Sequence, residues 1–362
     1  MDEHPRRCAR QPVHWSSQPP TSEEHITRIQ ILYTGGTVGM VDSPRGLVLS
    51  PDLPSRLEKL LADTDLTCSV THLERLIDSS NSVPEDWQAI VDAVHAHADD
   101  ADAFVVVHGT DTMAYATAAL SYALTGIRQP VVVTGAQLPL ASVGSDAPAN
   151  IISAVRAAAS PRSHGVSLFF GSSLLAGNRA SKVSSWSNEG FTSPNQPPLA
   201  RIGTTWHWNP APDAGCGWPD PRRYERQDVM VIDMCPGITA RRLQAMLDPA
   251  PTAVIIRAYG VGGVPSDEPG LIRVIQDLVA DDVPVVVASQ CLQADVQLGY
   301  YETGRALREV GAVGCADMTV EAAYAKTVFL LSQGLAGADL AAWIGVNIAG
   351  ELTETTPGDP DH

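Results

Sequence analysis

The sequence predicts an α/β protein of two domains, each with a mainly parallel sheet flanked by helices. Three observations carry this expectation. From Thr27 onward, short apolar and β-branched runs alternate with amphipathic or Ala-rich segments, the βαβ rhythm of parallel sheets covered on both faces. With 362 residues, 44% hydrophobic and 18% charged, the chain is long for one typical domain and comfortable for two. Between 197 and 227 the rhythm stops, and the stretch from Trp208 to Pro221 concentrates Pro and Gly as linkers do.

Taken in order, residues 1–25 mix Pro, Ser and charge with little apolar content and read as a disordered tail. A buried strand is expected at 29–33. The clearest helix signal begins at Ser82 and Glu85, which have capping-box spacing, and continues with Trp87, Ile90, Val91 and Val94 on one face. A strand at 104–107, an Ala-rich helix over 113–124 and strands at 131–134 and 166–170 complete an N-terminal domain over 26–200. A linker over 201–227 leads to a C-terminal domain over 228–352 with strands at 229–233, 253–257 and 283–288, then a flexible polar tail over 353–362. No internal repeat is visible.

Charge narrows the function classes. Against 41 Asp plus Glu stand 24 Lys plus Arg, a formal charge of −17. Such a chain lacks the basic face that sequence-independent nucleic-acid binding or docking on an anionic membrane needs, so neither partner is expected. No apolar stretch reaches the roughly 18–20 residues of a membrane span, and no basic-then-apolar leader opens the chain, so a soluble, unexported protein is expected. Cys8, Cys68, Cys216, Cys235, Cys291 and Cys315 form no CxxC pair, which argues against disulfides and zinc alike. The histidines agree: there is no HExxH, and His95 and His97 diverge on a helix.

Two strand ends carry candidate chemistry. The strand at 29–33 runs into Thr34-Gly35-Gly36-Thr37-Val38-Gly39, and that at 104–107 into His108-Gly109-Thr110-Asp111-Thr112. In open α/β sheets ligands bind at the strand carboxyl ends, so the active site is expected there, in the larger N-terminal domain. Thr34 and Thr110 offer hydroxyls and Asp111 a carboxylate, while the glycines leave N–H groups free for an anion or oxyanion. Plainer readings stand beside these. The first loop could be a phosphate turn, although it matches neither GxGxxG nor GK[ST]. Asp111 and Thr112 could cap a helix, and His108 could be a hydrogen-bonded structural histidine. A hydroxyl nucleophile also needs a base, for which Lys182 is the candidate, lying in a charge-poor stretch; its alternative is a solvated surface lysine.

Together, Tyr33-Thr34-Gly35-Gly36-Thr37-Val38-Gly39-Met40, Asp78-Ser79-Ser80, Val107 through Tyr115, Asn178-Arg179 to Lys182, and Ala316 through Ala322 resemble the bacterial L-asparaginase family, and within it the cytoplasmic type I branch. The resemblance spans about 29–352. It implies a cytoplasmic amidohydrolase releasing ammonia from L-asparagine through a threonine acyl-enzyme, with no metal or organic cofactor. By the same resemblance Thr34 matches the nucleophile, and Thr110, Asp111 and Lys182 match a second triad that polarises a threonine. Ser79 matches the ligand of the substrate α-carboxylate and Asp111 that of its α-ammonium, with Asp78 and Gly109 in the same binding loops.

One position departs from the family pattern. Where many relatives carry a tyrosine that meets the nucleophile, this chain has Leu47, which can relay no proton. Tyr301, with Tyr300 as its rival, is the expected replacement, because some type I relatives supply a tyrosine from a neighbouring subunit. Aromatic packing at a subunit contact is the alternative. The resemblance also implies a homo-oligomer, a dimer or dimer of dimers, and in some relatives an effector site that Arg257 through Gly262 and Gln290-Cys291 resemble, with Ser181 where a close relative has threonine. Three other readings compete: a glutaminase or broader amidase, a tRNA-linked amidotransferase subunit, and a non-catalytic amino-acid sensor on a decayed hydrolase.

Overall fold

A computed structural model of the protein describes residues 28–44, 46–49, 52–62 and 64–354. The tail expected at 1–25 lies outside them, as does all but the start of the one expected at 353–362. Two compact units divide these residues: one runs to Pro212 and includes Trp218–Asp220, and the other takes in Asp213–Gly217 and everything from Pro221.

The N-terminal unit is ordered β1 (Arg28–Gly35), β2 (Met40–Ser43), β3 (Gly46–Leu49), α1 (Leu53–Leu61), β4 (Thr67–Ile77), α2 (Pro84–Ala96), β5 (Ala103–Val107), α3 (Met113–Ala123), β6 (Val131–Thr134), α4 (Ala147–Ala158), β7 (Val166–Phe170), β8 (Ser173–Ala176), β9 (Ser181–Lys182), β10 (Phe191–Thr192), β11 (Ala200–Ile202) and β12 (Trp206–Trp208). Its large sheet has the order β12-β11-β8-β7-β6-β5-β1-β4. From β4 to β7 neighbouring strands are parallel, with Tyr33 of β1 level with Val107 of β5. Beyond β7 the chain reverses, and β8, β11 and β12 extend the sheet antiparallel. The strand Trp206–Trp208 therefore lies inside the stretch read as a linker.

β5, Ala-Phe-Val-Val-Val, is buried throughout because helices cover both faces of the sheet. On one face Ile29, Ile31, Tyr33, Val105 and Val107 pack with Leu53 and Leu57 of α1 and Ile151 and Val155 of α4. α2 and α3 pack against each other and against sheet strands, contributing the buried Trp87, Ile90, Val94 and Leu120. α2 starts later than the Ser82/Glu85 spacing suggested. The carboxylate of Asp86, not Glu85, reaches back to accept from Val83 N at 3.0 Å.

The C-terminal unit holds β13 (Val229–Asp233), α5 (Ala240–Met246), β14 (Ala253–Ala258), α6 (Leu271–Ala280), β15 (Val285–Ser289), α7 (Glu302–Glu309), β16 (Val313–Gly314), α8 (Val320–Ser332) and α9 (Gly337–Ile344). Its sheet, β13-β14-β15-β16, is parallel throughout. α8 packs against β13, β14 and β15, and α6 against β15. Thr353, read as part of the tail, is held by Asp317, which accepts from its N at 2.9 Å and its Oγ1 at 2.7 Å. Cys216 is in a disulfide, a correction to the expectation of reduced thiols, whereas Cys68, Cys235, Cys291 and Cys315 are free. Motif spacing detects only cysteines in a CxxC pattern, and Cys216 lies in none.

Candidate active site

Because β1 lies between β4 and β5, their carboxyl ends deliver three loops side by side. Glycine is what lets them touch. Gly36 has φ +85°, and a Cβ there would stand 2.5 Å from Gly109 N and Cα; a Cβ on Gly109 would stand 2.4 Å from Ser79 Oγ. Those distances are far inside van der Waals contact, so any side chain at 36 or 109 would prise the loops apart. Thr34 is fully buried at the end of β1, and its Oγ1 donates to Val107 O of β5 at 3.0 Å. Its oxygen lone pairs are not used by that bond.

The second loop is held from below. After β4 a short helical turn, Ser79–Asn81, is capped by Asp78, whose carboxylate accepts from Ser80 N at 3.2 Å and Asn81 Nδ2 at 2.8 Å. Thr112 Oγ1 donates to Ser79 O at 2.8 Å, tying this turn to the β5 loop. The side chain of Thr112 therefore makes no cap on α3, which decides between the two readings of that residue. His108 is buried, and its Nδ1 donates to Gly109 O at 2.7 Å. Burial lowers its pKa and keeps the imidazole neutral, so His108 supports the loop as a structural histidine.

Lys182 arrives from elsewhere in the chain, on β9, which pairs with β10 and packs against α3. Its Nζ donates to Thr110 Oγ1 at 2.9 Å and to Asp111 Oδ1 at 2.7 Å. The lysine side chain is only 18% exposed and Asp111 60%, so the surface-lysine reading gives way to a paired cation beside an open carboxylate. The hydrogen bond from Lys182 pushes the Asp111 pKa down, and one from Ser80 Oγ, at 3.0 Å from Oδ2, adds to it against the opposing effect of burial. An ammonium donating to an alcohol polarises that alcohol, and a carboxylate on its far side fixes the cation in place. Thr110 itself is buried.

Tyrosines occur both next to Thr34 in sequence and in the C-terminal unit. Tyr33 adjoins Thr34 in sequence, yet its hydroxyl is sealed in the core without a partner, and burial pushes its pKa up to about 12. Strand alternation sends neighbouring side chains to opposite faces, so Tyr33 is no substitute at position 47. Leu47 lies in β3, level with Asp42 of β2. Tyr300 and Tyr301 belong to the C-terminal unit, exposed just before α7, with ring centroids 4.7 Å apart. In that unit Arg257 pairs with Asp233 at 2.9 Å, and Gln290 Nε2 donates to Met234 O at 2.6 Å and Arg257 O at 2.8 Å. Among the described residues no group of three or more His, Cys, Asp or Glu could hold a metal ion, and no helix is long and apolar enough to cross a membrane. Ser80 and Thr112 belong to the sequence motifs, but their partners are not legible there; only the fold brings them to Asp111 and Ser79.

Comparison with known proteins identifies the family and fold of the chain. Residues 28–213 match the family model "Asparaginase, N-terminal", and 228–344 match "Glutaminase/Asparaginase C-terminal domain". L-asparaginase 1 of Escherichia coli K12 is 38% identical over 334 residues, covering 90% of this chain and 98% of that protein. The crystal structure of L-asparaginase I from Vibrio cholerae superposes with a TM-score of 0.81 at 35% identity, covering 91% of this chain and 100% of that one. A glutamyl-tRNA(Gln) amidotransferase component from Thermococcus kodakarensis is 30% identical over 365 residues, 93% of this chain and 79% of that protein. By both its family-model matches and its overall structure, this chain belongs to the asparaginase family.

Proposed function

We propose that this protein is an L-asparaginase, hydrolysing L-asparagine to L-aspartate and ammonia through a threonine acyl-enzyme. The observation that carries the reading is the contact of Lys182 with both Thr110 and Asp111, beside Thr34 on the neighbouring strand. Thr34 Oγ1 attacks the side-chain amide carbon and the C–N bond breaks. The hydroxyl proton leaves with the amine as ammonia, and water then cleaves the ester and restores the alcohol. Thr110, polarised by Lys182, is suited to activate that water. Ser79 and backbone N–H groups beside Gly109 take the α-carboxylate and Asp111 the α-ammonium, with Asp78 shaping the turn that carries Ser79. Such two-point capture of a zwitterion fixes the amide against the nucleophile.

The reading extends to a cytoplasmic homo-oligomer, a homotetramer built as a dimer of dimers, in which Tyr301 of one copy serves the Thr34 of another. The exposed Tyr300–Tyr301 pair and the leucine at position 47 support it. Tyr301→Phe is expected to lower kcat about a hundredfold or more with an unchanged unfolding midpoint, as steady-state kinetics and calorimetry would record. Glutaminase activity is the second reading, favoured by the breadth of the C-terminal family model. One methylene separates the substrates, worth about 1–3 kcal/mol in a pocket. The sensor reading loses weight at the 2.9 Å contact between Lys182 and Thr110. The amidotransferase reading loses weight because that relative is 30% identical to this chain, against 38% for L-asparaginase 1.

Ammonia release from L-asparagine and L-glutamine by the purified chain tests the proposal. It predicts asparagine turnover with glutamine slower by about tenfold or more. A folded protein that releases ammonia from neither would refute it.

A further inference from the structure

Asp111 is held from two different loops. Lys182 on β9 takes Oδ1 at 2.7 Å, and Ser80, on the turn after β4, donates its Oγ to Oδ2 at 3.0 Å. One contact cannot define the plane of a carboxylate, because the terminal torsion of aspartate is broad and roughly two-fold. Two contacts on opposite oxygens can. The turn bearing Ser80 is itself anchored: Asp78 accepts from Ser80 N at 3.2 Å, Thr112 Oγ1 grips Ser79 O at 2.8 Å, and Ser79 Oγ abuts Gly109. Ser80 is exposed, yet its hydroxyl is presented by backbone that three neighbours hold still.

We propose that Ser80 is a positioning residue, its hydroxyl locking the Asp111 carboxylate so that Lys182 stays on Thr110 and the same carboxylate stays aimed at the substrate ammonium. Without Ser80 the carboxylate turns, the Lys182 contact slackens, and Thr110 is less often polarised. The inference rests on the hydrolase reading above only for its kinetic consequence. The charged groups on the elements that meet Asp111 are Lys182 from β9 and, on the Ser80 turn, Asp78, whose carboxylate is taken up by Ser80 N and Asn81. Both Lys182 and Ser80 lower the Asp111 pKa, so loss of the hydroxyl raises it.

The test is a carboxyl 13C NMR titration of the full-length protein, with Asp111 assigned through Asp111→Asn, run beside the pH dependence of kcat/KM for L-asparagine. Ser80→Ala is expected to move the Asp111 titration and the acid limb of kcat/KM together to higher pH. It should also cut kcat/KM about three- to tenfold at neutral pH without shifting the unfolding midpoint, as fits one exposed hydrogen bond to a charged group. Ser80→Thr, which keeps the hydroxyl, restores both. Ser80→Cys is a second hydroxyl-free variant should alanine fold poorly. An unmoved Asp111 titration in Ser80→Ala, or a threonine variant as impaired as alanine, overturns the proposal. If the wild type hydrolyses no asparagine, the functional reading falls, and the NMR titration still decides the role of Ser80 by itself.

Discussion

Lys182 meets Asp111 at 2.7 Å in the N-terminal unit, and Lys326 meets Glu351 at 2.6 Å in the C-terminal unit, but their surroundings are opposite. Both side chains of the second pair are completely buried. Lys326 Nζ also donates to Ile344 O at 2.8 Å and Val346 O at 2.6 Å, while Glu351 accepts from Ile348 N at 2.9 Å and Ala349 N at 2.7 Å. Every donor of that ammonium has an acceptor inside the fold, so nothing is left for a ligand, and the network ties the segment after α9 to α8. Burial lowers the Lys326 pKa in spite of the neighbouring Glu351. The first pair is open on its carboxylate side and has a hydroxyl as its third member. A closed lysine–carboxylate pair holds a chain together; an open one can act on a substrate.

This contrast is broken most directly by removing each lysine. Lys182→Met is expected to lower turnover about a thousandfold while the unfolding midpoint barely moves, since partly exposed pairs contribute about 0–1 kcal/mol. Steady-state kinetics and calorimetry on one sample read both. Lys326→Met should do the reverse, costing about 3–5 kcal/mol in urea denaturation by stranding a buried carboxylate, with normal activity per folded molecule. Replacing both partners, Lys326→Met with Glu351→Leu, should recover most of that loss, because no unpaired charge remains.

The smallest expected effect concerns pH. The folded-state pKa of Asp111 is depressed, chiefly by its hydrogen bond from Lys182, so the carboxylate stays ionised below the ordinary range. Whatever the pair adds to stability is therefore present at neutral pH and fades only as pH falls through the lowered pKa. kcat/KM for asparagine should accordingly hold into acid solution further than an unperturbed aspartate would allow, and an acid limb at the ordinary carboxylate value would deny Lys182 its role.

What was legible in the sequence follows from which interactions are local. β5, β6, β7 and β13 are predominantly apolar runs, and the sequence expectation meets them within a residue. β4 escaped because an edge strand with one wetter face alternates polar and apolar residues, as Thr67–Ile77 does. β11 and β12 escaped because they are short and sit next to a Pro- and Gly-rich stretch. The threonine and glycine loops were legible because tight turns at strand ends need those residue types. The partnership of Lys182 with Asp111 was implied by the family resemblance and not by spacing, because 71 positions separate them and only the fold brings them to 2.7 Å. For the same reason the Asp111–Ser80 bond, the Thr112 clamp and the sealed Lys326–Glu351 network left no mark that reading along the chain could find.

The central claim is that Thr34 and Thr110 form one hydrolytic centre, and it is tested by ammonia release from L-asparagine with wild type, Thr34→Ala and Thr110→Ala at equal concentrations of folded protein. The account predicts rapid release by the wild type and loss of at least about a hundredfold in each variant. Undiminished release by either variant would contradict it.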